Sequence, residues 1–290
     1  MVYNPRTTWN LSQQIVLITG AGRGIGAAMA RAFGLAGADV VLVARTASEI
    51  RDLAKEIECH GAKALAVAGD VSSRSDVNKA VTVATAHFGR IDVLVNSAGV
   101  LGPIGPLTNN NSDAWIRTIE INLLGTMLCM QAILPQMTAR RHGVVVNLSG
   151  GGSVTPLPRF SAYGASKAAV IRLTETIAEE VKEFGVRVNA ISPGTVKTRM
   201  LDEVLAAGEA AGKEYHARVS EIYAAGGVPP ERAAELAVFL ASPAASGITG
   251  RLISAVWDDW ESLPSRKEEV AESALFTMRR IDGRQFVEVR

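Results

Sequence analysis

Two residues near the middle of the chain have the types and the spacing to move a proton. Tyr163 and Lys167 stand four apart in Tyr163-Gly-Ala-Ser-Lys167, at the start of a strongly helical stretch. Residues four apart on a helix project from one face as neighbours. A free phenol has a pKa of about 10 and exchanges protons poorly at neutral pH. The Lys167 ammonium is therefore expected to favour phenolate and lower that pKa, making Tyr163 a general acid/base for an alcohol or a carbonyl. The solvated face of any long helix can carry such a pair, so the pair alone does not define an enzyme.

A second stretch gives the pair a context. Thr19-Gly20-Ala21-Gly22-Arg23-Gly24-Ile25-Gly26 follows the apolar run Ile15-Val16-Leu17-Ile18 and precedes a helical pattern from Ala27 to Phe33. In a strand, glycine turn and helix of this kind, backbone N–H groups and the helix N-terminus can bind a pyrophosphate.

Elements that must position these residues are legible in the hydrophobic pattern. Apolar strand-like runs recur near residues 15–19, 39–43, 64–69, 91–95, 143–148, 186–191 and 251–256, with helical patterns between them. After Tyr163, the residues Val170, Leu173, Ile177 and Val181 fall three or four apart and make one buried stripe. Alternating strands and helices predict an α/β fold, a doubly wound parallel sheet of about seven strands with helices on both faces. Ligands in such sheets bind beyond the carboxyl ends of the strands. Both stretches above fall there.

From about Ser12 to Ala255 the chain resembles the short-chain dehydrogenase/reductase family. Further blocks carry the resemblance: Asp70-Val71, Asn96-Ser97-Ala98-Gly99, Asn122-Leu-Leu-Gly125, Val144 to Ser149, and Ser192-Pro193-Gly194-Thr195-Val196-Lys197-Thr198. The family implies a Rossmann-type domain over residues 1–256, with a substrate lid at about 198–226, and leaves 257–290 as a C-terminal extension. It implies that Tyr163 is the acid/base, that Lys167 also binds the nicotinamide ribose, and that Asn122 positions a proton-relaying water. For the cofactor it implies the glycine turn (Gly20, Gly22, Arg23, Gly24, Ile25, Gly26) and Asp70 with Val71 at the adenine. Asn96, Ala98 and Gly99 would line the cofactor path, and Pro193, Gly194, Val196 and Thr198 would close over the nicotinamide. Such proteins commonly form homodimers or homotetramers.

The chain departs from the family at one catalytic position. The serine that holds the substrate oxygen would fall on Gly150, within Asn147-Leu148-Ser149-Gly150-Gly151-Gly152-Ser153. Ser149 or Ser153 could replace it, a backbone N–H of the glycine run could, or the protein could bind a dinucleotide in a regulatory role. Ser149 is taken as the catalytic candidate.

The end of the second strand bears on cofactor choice. An acidic residue there would favour NAD and repel a 2′-phosphate. The chain reads Val43-Ala44-Arg45-Thr46, so Arg45 and Arg23 are expected to bind that phosphate and favour NADP(H), without excluding NAD(H). The resulting expectation is an NADP(H)-dependent oxidoreductase acting on the C–OH or C=O group of a small-molecule alcohol or ketone. The alternative is a non-catalytic dinucleotide-binding or redox-sensing protein on the same fold.

Composition narrows the remaining classes. A net charge of +1 over 290 residues gives no broad electrostatic footprint for nucleic acid. Met1 to Gln14 lacks the apolar core of a signal peptide, and no run is expected to span a membrane. Cys59 and Cys129 are too few for a disulfide framework and match no metal spacing, which fits a reducing, cytoplasmic setting. After Met200, a helical insertion to about Ala225 reads as the lid, and Arg159, Lys197 and Arg199 could meet an anionic substrate group. In the extension, Leu275 to Ile281 and Gln285 to Val289 flank Asp282-Gly283, a hairpin signal. The extension is expected to be ordered against the lid or a neighbouring subunit.

Overall fold

The computed structural model describes residues 9–280. Its strands are β1 (Ile15–Thr19), β2 (Asp39–Ala44), β3 (Ala64–Ala68), β4 (Val93–Asn96), β5 (Gly143–Leu148), β6 (Val186–Ser192) and β7 (Leu252–Ser254). They form one sheet in the order β3-β2-β1-β4-β5-β6-β7, every pair parallel. The winding direction reverses between β1 and β4, which opens a crevice at their carboxyl ends.

The helices are α1 (Gly24–Leu35), α2 (Ala47–Glu58), α3 (Arg74–Phe88), α4 (Ser112–Ile119), α5 (Gly125–Arg140) and α6 (Ser161–Val181). After β6 come α7 (Arg199–Ala207), α8 (Lys213–Ala224) and α9 (Pro230–Ala241), and after β7 a short α10 (Lys267–Glu272). Strand side chains alternate between two cores, as the pleat requires. Val16, Ile18, Val40 and Leu42 pack with α1, α2 and α9. Ile15, Leu17, Val41 and Val43 pack with α3, α5 and α6. Burial on both faces is why these strands read as unbroken apolar runs.

At the amino ends of the strands, the buried Asp92 carboxylate accepts from Arg90, Arg140 and the Ile15 backbone, each at 3.0 Å. That network locks the base of the sheet and leaves the opposite end for function. Between α4 and α5 the helix runs through a π turn, Glu120–Leu124. Nothing in the residue pattern signals this turn, which widens the helix at Asn122. The combined helix, 112–140, is long and apolar enough to cross a membrane by length and composition, contrary to expectation. Half of its most apolar window is buried in the protein, as in a core helix.

The described part of the extension packs against its own chain. Trp260 is buried against Trp9 and Phe239 on α9, and Leu263 and Val270 join the same core. The Phe276 carbonyl then accepts from Leu252 N on the edge of β7 at 2.7 Å, and Met278 N donates to Glu175 on α6 at 2.6 Å. Residues 257–280 thus cover the protein's own α9, β7 and α6. Leu275 to Arg280 form a turn and coil rather than a strand, because the edge pairing is satisfied by one residue in passing. The second arm of the expected hairpin lies outside the described residues.

Candidate active site

The glycine turn connects β1 to α1. Arg23 flanks α1 in extended geometry, and no side chain caps that helix, so its first N–H groups face the crevice. Thr19 Oγ1 accepts from Ser97 N at 3.2 Å and Ala98 N at 3.3 Å, holding the loop after β4 against the turn. The approach is close enough that a Cβ on Gly20 would lie 2.7 Å from Ala98 Cα. Glycine is required there by space as well as by its positive φ.

One cleft of about 390 Å³ runs from this turn to the start of α6. Its wall includes Gly20, Gly22, Arg23, Gly24, Ile25 and Gly26 at one end, with Arg45, Asp70 and Val71 beside them. Ala98 and Gly99 line the middle, and Ser149, Tyr163, Lys167, Pro193 and Thr198 line the far end. Thr198 reaches across the cleft, since a Cβ on Gly24 would sit 3.3 Å from its methyl group. The size, the uncapped helix end and the glycine-lined approach all fit a dinucleotide.

Four expected residues stand behind the wall. Asn96 is buried and donates to Asn147 Oδ1 at 2.9 Å, which joins β4 to β5. Gly194 packs under Val256 and Val228, and Val196 bridges to Val228. Asn122 accepts from Val100 N at 2.8 Å and donates to Ser166 Oγ at 2.9 Å. Asn122 remains close to Lys167: Gly99 separates them, and a Cβ there would be 3.3 Å from Asn122 Oδ1 and 3.4 Å from Lys167 Nζ. Asp70 is at the wall, yet its carboxylate is already engaged by Ser72 and by Arg117 at 2.8 Å. Burial pushes its pKa up, but these hydrogen bonds and the guanidiniums of Arg117 and Arg45 outweigh it and hold the carboxyl below its ordinary value.

At the far end the expected relation between Tyr163 and Lys167 is corrected. Lys167 Nζ donates to Leu148 O at 2.8 Å, fastening α6 to the end of β5, and stands 5.9 Å from the centre of the Tyr163 ring. Both groups are almost fully buried. Burial, followed by the nearby Tyr215 phenol, pushes the Tyr163 pKa well above its ordinary value. Burial also lowers Lys167 to about 8. Desolvation, which disfavours the charged form of each group, sets the direction of both shifts.

The glycine loop resolves where the serines go. The space above Gly150 is taken by the Tyr163 phenol: a Cβ there would meet Tyr163 Oη at 2.1 Å. Ser153 Oγ donates to Gly150 O at 2.7 Å and is spent within the loop. Ser149 N still donates to Ile191 O at 2.8 Å, extending the sheet; the residue lines the cleft, and its Oγ is buried without a hydrogen-bond partner.

The segment expected to act as a lid forms α7, α8 and the turn between them. Leu201, Val204 and Val219 close on Leu101, Phe160 and Tyr163, and Tyr215 packs edge-on to Phe160 at 5.1 Å. His216 bonds to Leu205 O at 3.1 Å and ties α7 to α8. All three cations considered for an anionic substrate have partners between Glu203 and Tyr223. Arg159 bonds to the carbonyls of Glu209 and Ala210, Lys197 stacks on Tyr223, and Arg199 faces Glu203. Glu49, which no sequence argument singled out, also lines the cleft. Among the described residues no cluster of His, Cys, Asp and Glu is arranged to hold a metal.

A sheet that reverses at β1 and β4, with a dinucleotide-sized cleft at the reversal, defines a Rossmann-type nucleotide-binding protein. The family model for short chain dehydrogenases matches residues 14–208, and the chain belongs to that family. It is 38% identical over 244 residues to 3beta-hydroxysteroid dehydrogenase 1 of Eggerthella lenta, covering 83% of this chain and 91% of that protein. It is 36% identical over 245 residues to cis-4-hydroxycyclohexanecarboxylate dehydrogenase of Sinomonas cyclohexanicum, covering 84% and 95%. Among solved structures, NAD+-bound xylitol dehydrogenase superposes with a TM-score of 0.79 at 27% identity, covering 84% and 97%. The protein is therefore an oxidoreductase that acts on hydroxyl or keto groups.

Proposed function

We propose that this protein interconverts a secondary alcohol and a ketone on a neutral, apolar skeleton, with NADP(H) preferred over NAD(H). The observation that carries the reading is one cleft joining the uncapped end of α1 to Tyr163, Lys167 and the unpartnered Ser149 hydroxyl. A bound nicotinamide supplies the redox chemistry at the substrate carbon. The chain supplies the rest. Ser149 Oγ holds the substrate oxygen, and Tyr163 donates a proton to it as charge develops there, which stabilises the transition state. Lys167 fixes the end of β5 beneath that oxygen and presents a buried cation to the ribose. The lid excludes water through an apolar surface.

Substrate class is read from the lid, where Leu101, Phe160, Leu201, Val204 and Tyr215 meet Tyr163 and the nearby cations have internal partners. Relatives named for a hydroxysteroid and a hydroxycyclohexanecarboxylate support an alicyclic skeleton. For the cofactor, Ala44 leaves the end of β2 uncharged, while Arg23 and Arg45 both line the adenosine end.

Turnover of alicyclic ketones with NADPH, followed by nicotinamide absorbance, tests the reading. Tyr163→Phe should lower kcat by about 10²- to 10⁴-fold, the usual worth of a general acid. NADPH affinity should stay unchanged. Full turnover in this variant would move the proton donor elsewhere. A wild type that binds NADPH and turns over none of these ketones would favour the binding-protein alternative, which Gly150 motivates.

A further inference from the structure

The adenosine end of the cleft contains a carboxylate as well as its two arginines. Glu49 lies in the first turn of α2 and lines the cleft with Arg23, Ala44, Arg45 and Thr46. Its Oε1 is 3.8 Å from Arg23 Nη1. Its Oε2 fills the space beside Gly22 so closely that a Cβ there would lie 2.6 Å from it. The same Cβ would be 3.6 Å from the Ala44 methyl group. Glycine at 22 therefore seats the Glu49 carboxylate directly in front of Arg23, at the end of β2. Arg45 is placed differently. Among the described residues it makes no ion pair, although Asp70 lies within its electrostatic reach.

We infer that Glu49 is a specificity-determining residue that occupies the anion position in front of Arg23 and so limits the preference for a 2′-phosphorylated cofactor. The inference rests on the cofactor reading above and adds a residue to it. A 2′-phosphate brings nearly two negative charges to this position. Glu49 must yield Arg23 to it and then remain as a like charge nearby, which disfavours the phosphate. A cofactor with a free 2′-hydroxyl meets no such opposition and can donate to the carboxylate. Two arginines and one carboxylate at one ribose end thus set a modest preference rather than an absolute one.

The test is binding rather than turnover: fluorescence titration of NADPH and NADH, with 2′,5′-ADP and 5′-ADP as fragments that isolate the 2′-phosphate. Glu49→Gln should tighten NADPH and 2′,5′-ADP by about fivefold, the upper range for a partly exposed charge pair. NADH and 5′-ADP should bind equally well or more weakly. The same change in an Arg23→Ala background should have a much smaller effect, because the carboxylate acts through that guanidinium. Glu49→Ala, with melting temperature recorded, serves if the glutamine variant is unstable. Equal changes for phosphorylated and unphosphorylated ligands, or no change, would overturn the role of Glu49. A wild type that binds 2′,5′-ADP no better than 5′-ADP, while Glu49→Gln binds it better, would instead overturn the NADP(H) preference and leave Glu49 standing.

Discussion

The two ends of the cleft are built on different physics. At the adenosine end the polar groups are charged and partly exposed: Arg23 retains 54% of its side-chain surface and Glu49 35%. Solvent screens such pairs, and each contributes little. At the reaction end Tyr163, Lys167 and Ser149 are each buried to within a tenth of their surface. There, desolvation dominates and moves both titrating groups against the direction that a simple pair of opposite partners would give. Changes at the buried end should therefore have large effects on chemistry, whereas changes at the exposed end should have graded effects on ligand choice.

The sharpest way to break this contrast is Ser149→Ala against Ser153→Ala. Loss of an oriented hydroxyl at the reacting oxygen should lower kcat by about 10²-fold, comparable to loss of one oxyanion donor. Ser153→Ala should leave kcat within about threefold, since its hydroxyl serves only the loop. Two near-neutral variants would shift the role to the backbone of the glycine run. Next comes Gly150→Ser, which places a serine where the family carries one. It should not raise activity. The new Cβ collides with Tyr163 Oη, so kcat should fall by about tenfold while NADPH binding is kept. A gain in rate would show that the loop relaxes easily.

Lys167→Met tests what burial costs. Lowering a lysine from 10.5 to about 8 corresponds to roughly 3 kcal/mol of destabilised charge. Removing the ammonium also orphans Leu148 O, at about 1–2 kcal/mol. The variant should thus be inactive yet more stable by about 1–2 kcal/mol at pH 7, read by denaturant melts. In the wild type, Lys167 is charged in both folded and unfolded states below pH 8. The stability this group contributes should rise from about pH 8 toward 10.5, as the folded state releases its proton first. Cofactor affinity that depends on the ammonium should fall over the same rise. The smallest effect belongs to the exposed end: Arg45→Ala should weaken NADPH by about fivefold and leave NADH unchanged. A large loss for both cofactors would mean that the adenosine end is more tightly coupled than its exposure suggests.

The fold and much of the site were legible in one dimension. All seven strands lie where the apolar runs fall, because burial on both faces demands continuous apolar sequence. The glycine turn and the Tyr163–Lys167 pair depend on backbone freedom and helical spacing, both local properties of the chain. The fate of the extension was not local. Its aromatic residues promised a contact surface, and Trp260 packs on α9 and Trp9, both distant in sequence.

Tertiary structure alone decided which serine hydroxyl is left without a partner, because Ser149 and Ser153 differ only in where the loop folds back on itself. It also decided that Asn122 sits in a π turn, braced against Val100 and Ser166. It moved the pKa values of Tyr163 and Lys167, since burial is a property of everything packed around a group. The same holds for Glu49. An acidic residue in the first turn of a helix reads as favourable to the helix dipole. Only the close approach of Gly22 turns it into part of a binding site.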